Sequence, residues 1–192
     1  MKIIFLDIDG VLNCQDAYQA GECKYVTWFN DLGEQEHYQA FCSWSKEWLN
    51  KLIEETGAKI VISSTWRRSG LDFMKKVWEL EGMSGEIIGI TPSFRSAVDG
   101  YTIPRGCEIE KWLDDTGFKH INWSREKQEK KMESSGIENY IIIDDDSDML
   151  YKQRKHFIHV LPPPRNKRGF DRDHYVQAMG ILSWTVADIA YI

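Results

Sequence analysis

A chain of 192 residues, 42% hydrophobic and 28% charged, is long enough for one domain with a substantial core and too apolar to stay disordered. Its formal net charge of −6 argues against a surface that binds nucleic acid all over. A local basic patch is compatible with that balance, because a carboxylate-rich site would itself contribute several of the negative charges.

The chain opens on an apolar run, Ile3 to Leu6, that halts at Asp7. It is too short for the core of a secretory leader and lacks a small-residue cleavage site. No run reaches the roughly 18 residues of a spanning helix, so a buried strand and a cytoplasmic location are expected. Cys14, Cys23, Cys42 and Cys107 form no Cys-x-x-Cys pair and no zinc-like spacing with histidine. Free, reduced thiols are the plain reading.

After the Lys2–Leu6 strand, residues 13–42 form a gap too long for an ordinary βα loop of about 2–6 residues. Rich in aromatic and acidic residues, they read as a flap or small cap. Ser43 is expected as a helix N-cap, followed by Trp44, Trp48, Leu49, Leu52 and Ile53 at helical spacing until Gly57. Lys59 to Ser63 reads as a second buried strand, and Leu71, Met74, Val77 and Trp78 mark a second helix. Glu86 to Ile90 is a third strand, closed by Thr91-Pro92. Ile109, Trp112 and Leu113 sit on a helix running from near Arg105 to Gly117. Residues 119–139 are very polar and read as a solvated helix or loop. Tyr140 to Ile143 is a strand running into three aspartates, Phe157 to Leu161 a last strand, and Arg172 to Leu182 a final helix. This alternation predicts a three-layer α/β domain with a mostly parallel central sheet, covering residues 1–192 with the flap at 13–42.

Three segments carry chemistry. The first is Asp7-Ile8-Asp9-Gly10, at the carboxyl end of a strand, where open α/β sheets bind ligands. Residues two apart on a strand share a face, so Asp7 and Asp9 point together while Ile8 enters the core. Carboxylates that close raise a pKa or demand a cation. A plain turn would use the same residues, whereas a calcium loop would need further acidic ligands and a closing Glu. The second segment is Ser63-Ser64-Thr65-Trp66-Arg67, in which hydroxyls at a strand's end offer donors to a phosphate oxygen. Turn or capping residues are the ordinary alternative. The third is Asp144-Asp145-Asp146, whose crowded oxygens suit Mg²⁺. A parallel sheet would bring all three to one edge as a phosphoryl-transfer centre.

These motifs resemble the haloacid dehalogenase (HAD) superfamily, and within it the small phosphatase domain of RNA-repair (Swiss Army Knife) proteins. Phe5 to Asn13 is similar to the first family motif and Ser63 to Arg67 to the second. Arg105-Gly106-Cys107-Glu108-Ile109 with Trp112-Leu113 resembles a segment of the subgroup, and Ile143 to Asp146 the last acidic motif. The resemblance implies that Asp7 is the nucleophile and forms an aspartyl phosphate, and that Asp9 is the general acid and base. It implies that Ser63 binds the transferred phosphoryl group, with Ser64 as the alternative register, and that Thr65, Gly10 and Arg67 line the substrate. Mg²⁺ would be held by Asp7, the Asp9 carbonyl, Asp145 and Asp144. The family's usual lysine is missing: Arg105 stands in the matching segment, either replacing it or as a plain surface arginine, and Lys111 lies two helical turns further on. Arg67 has two readings, contact with substrate phosphate or pairing with a surface acid.

The expected substrate is a nucleotide or a phosphorylated nucleic-acid end, with no membrane and no obligate protein partner. A small-metabolite phosphatase and a non-catalytic binding module are the alternatives. Lys152, Arg154, Lys155, Arg165, Lys167, Arg168 and Arg172 either hold a polyanion or form a solvated basic face. Tyr25, Trp28 and Phe29 in the flap either stack on a base or pack the flap itself.

Overall fold

Ile3 to Leu6 have no exposed surface, which a strand achieves only at the centre of a sheet covered on both faces. The computed structural model describes residues 1–21, 23–95, 100–118, 136–162, 165–166 and 168–183. In chain order the elements are β1 (Lys2–Leu6), α1 (Gln15–Gln19), β2 (Tyr25–Phe29), β3 (Gln35–Gln39), α2 (Ser43–Thr56), β4 (Lys59–Ile62) and a 3-10 turn, Thr65–Ser69. Then come α3 (Leu71–Leu80), β5 (Ile87–Ile90), α4 (Arg105–Asp115), β6 (Asn139–Asp144), a second 3-10 turn at Tyr151–Gln153, β7 (Phe157–His159) and α5 (Arg172–Leu182).

Five strands form one sheet in the order β5-β4-β1-β6-β7, with every neighbouring pair parallel. The chain leaves β1 outward through β4 and β5, then returns to β6 on the other side. That reversal puts the topological switch point at β1, where such sheets open a crevice beyond their carboxyl ends.

Alternating side chains divide the core in two. Ile4, Leu6, Ile60, Ile62, Ile141 and Ile143 pack on one face with α2, α3 and α5. Ile3, Phe5, Val61, Tyr140 and Ile142 pack on the other with Ile109 and Leu113 of α4. Trp112 and Tyr140 meet the Phe5 ring edge-on at 5.3 and 5.8 Å, contacts that add to the area they bury. The result is a three-layer, Rossmann-like α/β fold with a parallel centre, as the sequence predicts.

Within residues 13–42 lie α1 and an antiparallel hairpin, β2 with β3. One hairpin face, Val26, Trp28 and Tyr38, rests on the core, where Trp28 meets Phe73 at 5.3 Å. Phe29 and Tyr25 are 70% and 73% exposed, so of the three flap aromatics Trp28 is the one that packs against the core.

Several boundaries shift. Ser43 is the first residue of α2 and not its cap: Cys42 takes that position with no side-chain bond to the backbone. Its thiol donates to Ser45 Oγ at 3.1 Å instead. Ser63 lies one residue beyond β4, though its N–H still donates to Leu6 O at 2.8 Å. Glu86 falls outside β5, β6 extends to include Asn139 and Asp144, and β7 ends at His159. Of the polar stretch at 119–139, residues 119–135 lie outside the described residues, as does Lys167. Among the described residues no helix is long and apolar enough to cross a membrane, and none of the four cysteines is in a disulfide.

Candidate active site

The register of the sheet assembles the site. Leu6 is level with Ile62 and with Ile143, so the next residues, Asp7, Ser63 and Asp144, form a row at the carboxyl edge. They follow the alternation of Phe5, Val61 and Ile142, which places them on the face that α4 covers. Asp7, Ser63 and Asp144 are all buried. Ser63 Oγ has no hydrogen-bond partner, while the Ser64 hydroxyl accepts from the Trp66 N–H at 3.4 Å. An orphaned buried hydroxyl costs free energy unless a ligand completes it.

Arg105 is the first residue of α4. Its Nη1 lies 3.4 Å from Asp7 Oδ1 and 3.7 Å from Asp144 Oδ2, with the side chain 12% exposed. The helix start is held from outside: the Arg105 N–H donates to Asp148 Oδ2 at 2.7 Å, and the Gly106 N–H to Asp148 O. A Cβ on Gly106 would strike the backbone of Met149 and Leu150, so only glycine lets α4 lie this close. Lys111 pairs with Asp115 on the exposed side of α4.

Asp7, Asp144 and Asp145 each offer a carboxylate oxygen, all within 4.8 Å of one another. Burial lifts the Asp7 pKa to about 6, against Arg105 and Ser64, with Asp145 adding to the rise. Burial and then Asp7 lift Asp144 to about 8, with Arg105 opposing. Burial and Asp146 raise Asp145. For Arg105 burial disfavours the charge, but Asp144 and Asp7 outweigh it and the guanidinium pKa rises. Three crowded acids against one guanidinium leave negative charge in excess. Asp144 Oδ2 accepts no hydrogen bond. Hard oxygen donors on few side chains fit a small divalent cation that keeps several waters, as Mg²⁺ does.

Gly10 has φ +77°, and a Cβ there would collide with the Asp145 carboxylate, so the first and third motifs touch through a glycine. Asp9 is exposed and its carboxylate is not among the three clustered acids. Trp66 Nε1 donates to Asp9 Oδ2 at 2.9 Å, and Asn13 Nδ2 to Oδ1 at 3.4 Å. Thr65 is exposed beside it. Between the hairpin and the Thr65–Ser69 turn opens a cleft of about 350 Å³, with Asp9 in its wall.

Arg67 pairs with an acid, and that acid is buried. Its Nη2 donates to Glu108 Oε2 at 2.5 Å and its Nη1 to Ser64 O at 2.6 Å. Glu108 also accepts from Phe94 N–H at 2.8 Å, so this ion pair fastens the Thr65–Ser69 turn to α4. Burial lowers the Arg67 pKa, with Glu108 opposing. Of the basic residues, Lys152 pairs with Glu110, Arg154 stacks on Tyr151, and Arg168 lies over Trp44.

Sequence reasoning gave no role to Trp66, Asn13, Glu108 or Asp148. The first three lie inside the motifs, beside residues with assigned chemistry, which was the available signal. Asp148 carried none, because its partner is 43 residues away.

An all-parallel sheet with this strand order, and acids, hydroxyls and a guanidinium at the end of its central strand, defines a HAD-type hydrolase fold. Within that superfamily the chain belongs to the family described as the HAD domain in Swiss Army Knife RNA repair proteins, whose model matches residues 3–174. Comparison with curated proteins finds no match.

Proposed function

We propose that the protein is a Mg²⁺-dependent phosphomonoester hydrolase that works through an aspartyl phosphate on Asp7, and that its substrate is a nucleotide or a phosphorylated nucleic-acid end. The observation that carries this reading is the row of Asp7, Ser63 and Asp144, with Arg105 3.4 Å from the nucleophile. The RNA-repair setting of the family supports the substrate class.

An Asp7 carboxylate oxygen attacks phosphorus, and the bond to the leaving oxygen breaks. Asp9, held by Trp66 and Asn13, gives that oxygen its proton. As a carboxylate, Asp9 then takes a proton from water, whose oxygen attacks the phosphorus, frees inorganic phosphate and restores Asp7. Ser63, whose hydroxyl lacks a partner, donates to a phosphoryl oxygen. Arg105 neutralises charge on Asp7 and on the group in transfer. Ser64 is the alternative donor to the phosphoryl group, and Thr65 faces the substrate side. The residues to hold Mg²⁺ are Asp7, Asp144, Asp145 and the Asp9 carbonyl, and the bound ion supplies charge neutralisation on the phosphoryl oxygens. Residues 1–192 act as one domain, the hairpin within 13–42 serves as its flap, and the protein works in the cytoplasm.

The test is phosphate release with Mg²⁺ from an aryl phosphate, mononucleotides, and oligonucleotides phosphorylated at the 5′ or 3′ end. Turnover that vanishes with chelator and is poorly supported by Ca²⁺ is expected, because calcium takes more ligands at longer distances. Full activity in chelator refutes the metal assignment.

A further inference from the structure

We propose that the cleft beside Asp9 is the leaving-group subsite and that it takes one nucleoside unit, carrying no phosphate except the one transferred. This rests on the phosphatase reading above and adds to it which part of the substrate is recognised, and where.

Position is the first argument. Asp9 is both the proposed donor to the leaving oxygen and part of the cleft wall, so whatever departs from phosphorus leaves into this space. Size is the second: at about 350 Å³ the cleft is at the lower end of ligand sites, which run from about 300 to 1,000 Å³.

The walls supply the chemistry. The rings of Tyr25, His37, Trp66 and Phe73 line the space together with the polar side chains of Gln39 and Thr65. Aromatic surface with a few amide and hydroxyl groups matches a flat heterocycle with hydrogen-bonding edges. Packing does not account for all of these rings. Tyr25 is level with Gln39, and with His37 they lie on the hairpin face opposite Val26, Trp28 and Tyr38, the face that meets the core. Tyr25 is 73% exposed, an aromatic presented on the free face of the flap.

Charge decides how far the substrate extends. Among the described residues no lysine or arginine lines the cleft, and Asp9 is the one acidic residue there. A second phosphate inside it would find no lysine or arginine and would face the Asp9 carboxylate. The free mononucleotide has the chemistry that fits, and the terminal nucleotide of a chain has it only with the diester to its neighbour lying outside the cleft.

The experiment compares kcat/KM, with Mg²⁺, for a nucleoside monophosphate, glycerol phosphate, a nucleoside 3′,5′-bisphosphate and a terminally phosphorylated oligonucleotide, in wild type and Tyr25→Ala. Wild type is expected to prefer the nucleoside monophosphate over glycerol phosphate by about 10-fold or more, the scale of one base stacked on an aromatic ring. In Tyr25→Ala that ratio falls several-fold, mainly through KM, and the bisphosphate is the poorer nucleotide throughout. An oligonucleotide with the same Tyr25 dependence names the chain end as the source. One turned over more slowly than the mononucleotide names the free nucleotide, and either result keeps the nucleoside in the cleft. Equal rates on glycerol phosphate and nucleotide, or a ratio unmoved in both Tyr25→Ala and His37→Ala, overturn the subsite while leaving the phosphatase intact. No turnover of any substrate by wild type overturns the phosphatase reading and the subsite with it.

Discussion

Arg105 Nη1 stands 3.4 Å from Asp7 Oδ1, bringing together residues 98 apart in the chain. The same nitrogen is 3.7 Å from Asp144, so one guanidinium is shared between two buried acids where the superfamily usually has a lysine. Arg105→Ala is expected to lower kcat by about 10²-fold, roughly 2.7 kcal/mol of charge stabilisation. Arg105→Lys restores only part, because an ammonium lacks the planar fork. Lys111→Ala, on the exposed face of α4, is the control. Steady-state kinetics decide: an active Arg105→Ala beside a dead Lys111→Ala would exchange the roles assigned to the two residues.

Trp66 positions Asp9 through its indole N–H, and its ring packs against Tyr38 and Phe41 at 6.4 and 6.0 Å. Trp66→Phe keeps an aromatic ring there and removes the donor. If the N–H aims the general acid, alkyl phosphates, whose leaving oxygen needs a proton, should slow by about 10-fold, while a nitrophenyl phosphate slows much less. Equal losses on both substrates would mean that Trp66 serves packing alone.

Protonation links the acid cluster to stability. Asp7 and Asp144 have folded-state pKa values of about 6 and about 8, above those of an unfolded aspartate near 4. The folded state therefore binds more protons than the unfolded one between those values, and metal-free stability falls as pH rises from about 4 to about 8. Thermal melts in chelator should show Tm declining over that window, with a shallower decline in Asp144→Asn. Mg²⁺ should raise Tm more at pH 8 than at pH 5, because it binds the deprotonated cluster. An identical pH slope in wild type and Asp144→Asn would contradict the assignment of Asp144.

The strands that build the site were legible because each is a short apolar run broken abruptly by chemistry: Leu6 before Asp7, Ile62 before Ser63, Ile143 before Asp144. Burial on both faces forces such runs, and it also makes a parallel sheet the natural reading. The contacts among the motifs were not legible. That Trp66 reaches Asp9 depends on the register of β1 with β4 and on the 3-10 turn that follows. The Arg67–Glu108 pair joins residues 41 apart, and no local pattern marks which acid a buried arginine selects. The hairpin is legible only as a flap, since strands exposed on one face and covered on the other show a weak alternation amid their polar residues. At α2 the N-cap preference for serine pointed one residue late, because Cys42 bonds to Ser45 and leaves the backbone uncapped.

The most direct test of the central claim is the rate of Mg²⁺-dependent phosphate release by Asp7→Asn beside wild type, with circular dichroism confirming the fold of both. An amide cannot attack phosphorus as a carboxylate does, so turnover should fall by about 10³-fold or more. A folded Asp7→Asn retaining more than about one-tenth of the wild-type rate, a loss under 1.4 kcal/mol, would contradict covalent catalysis by Asp7.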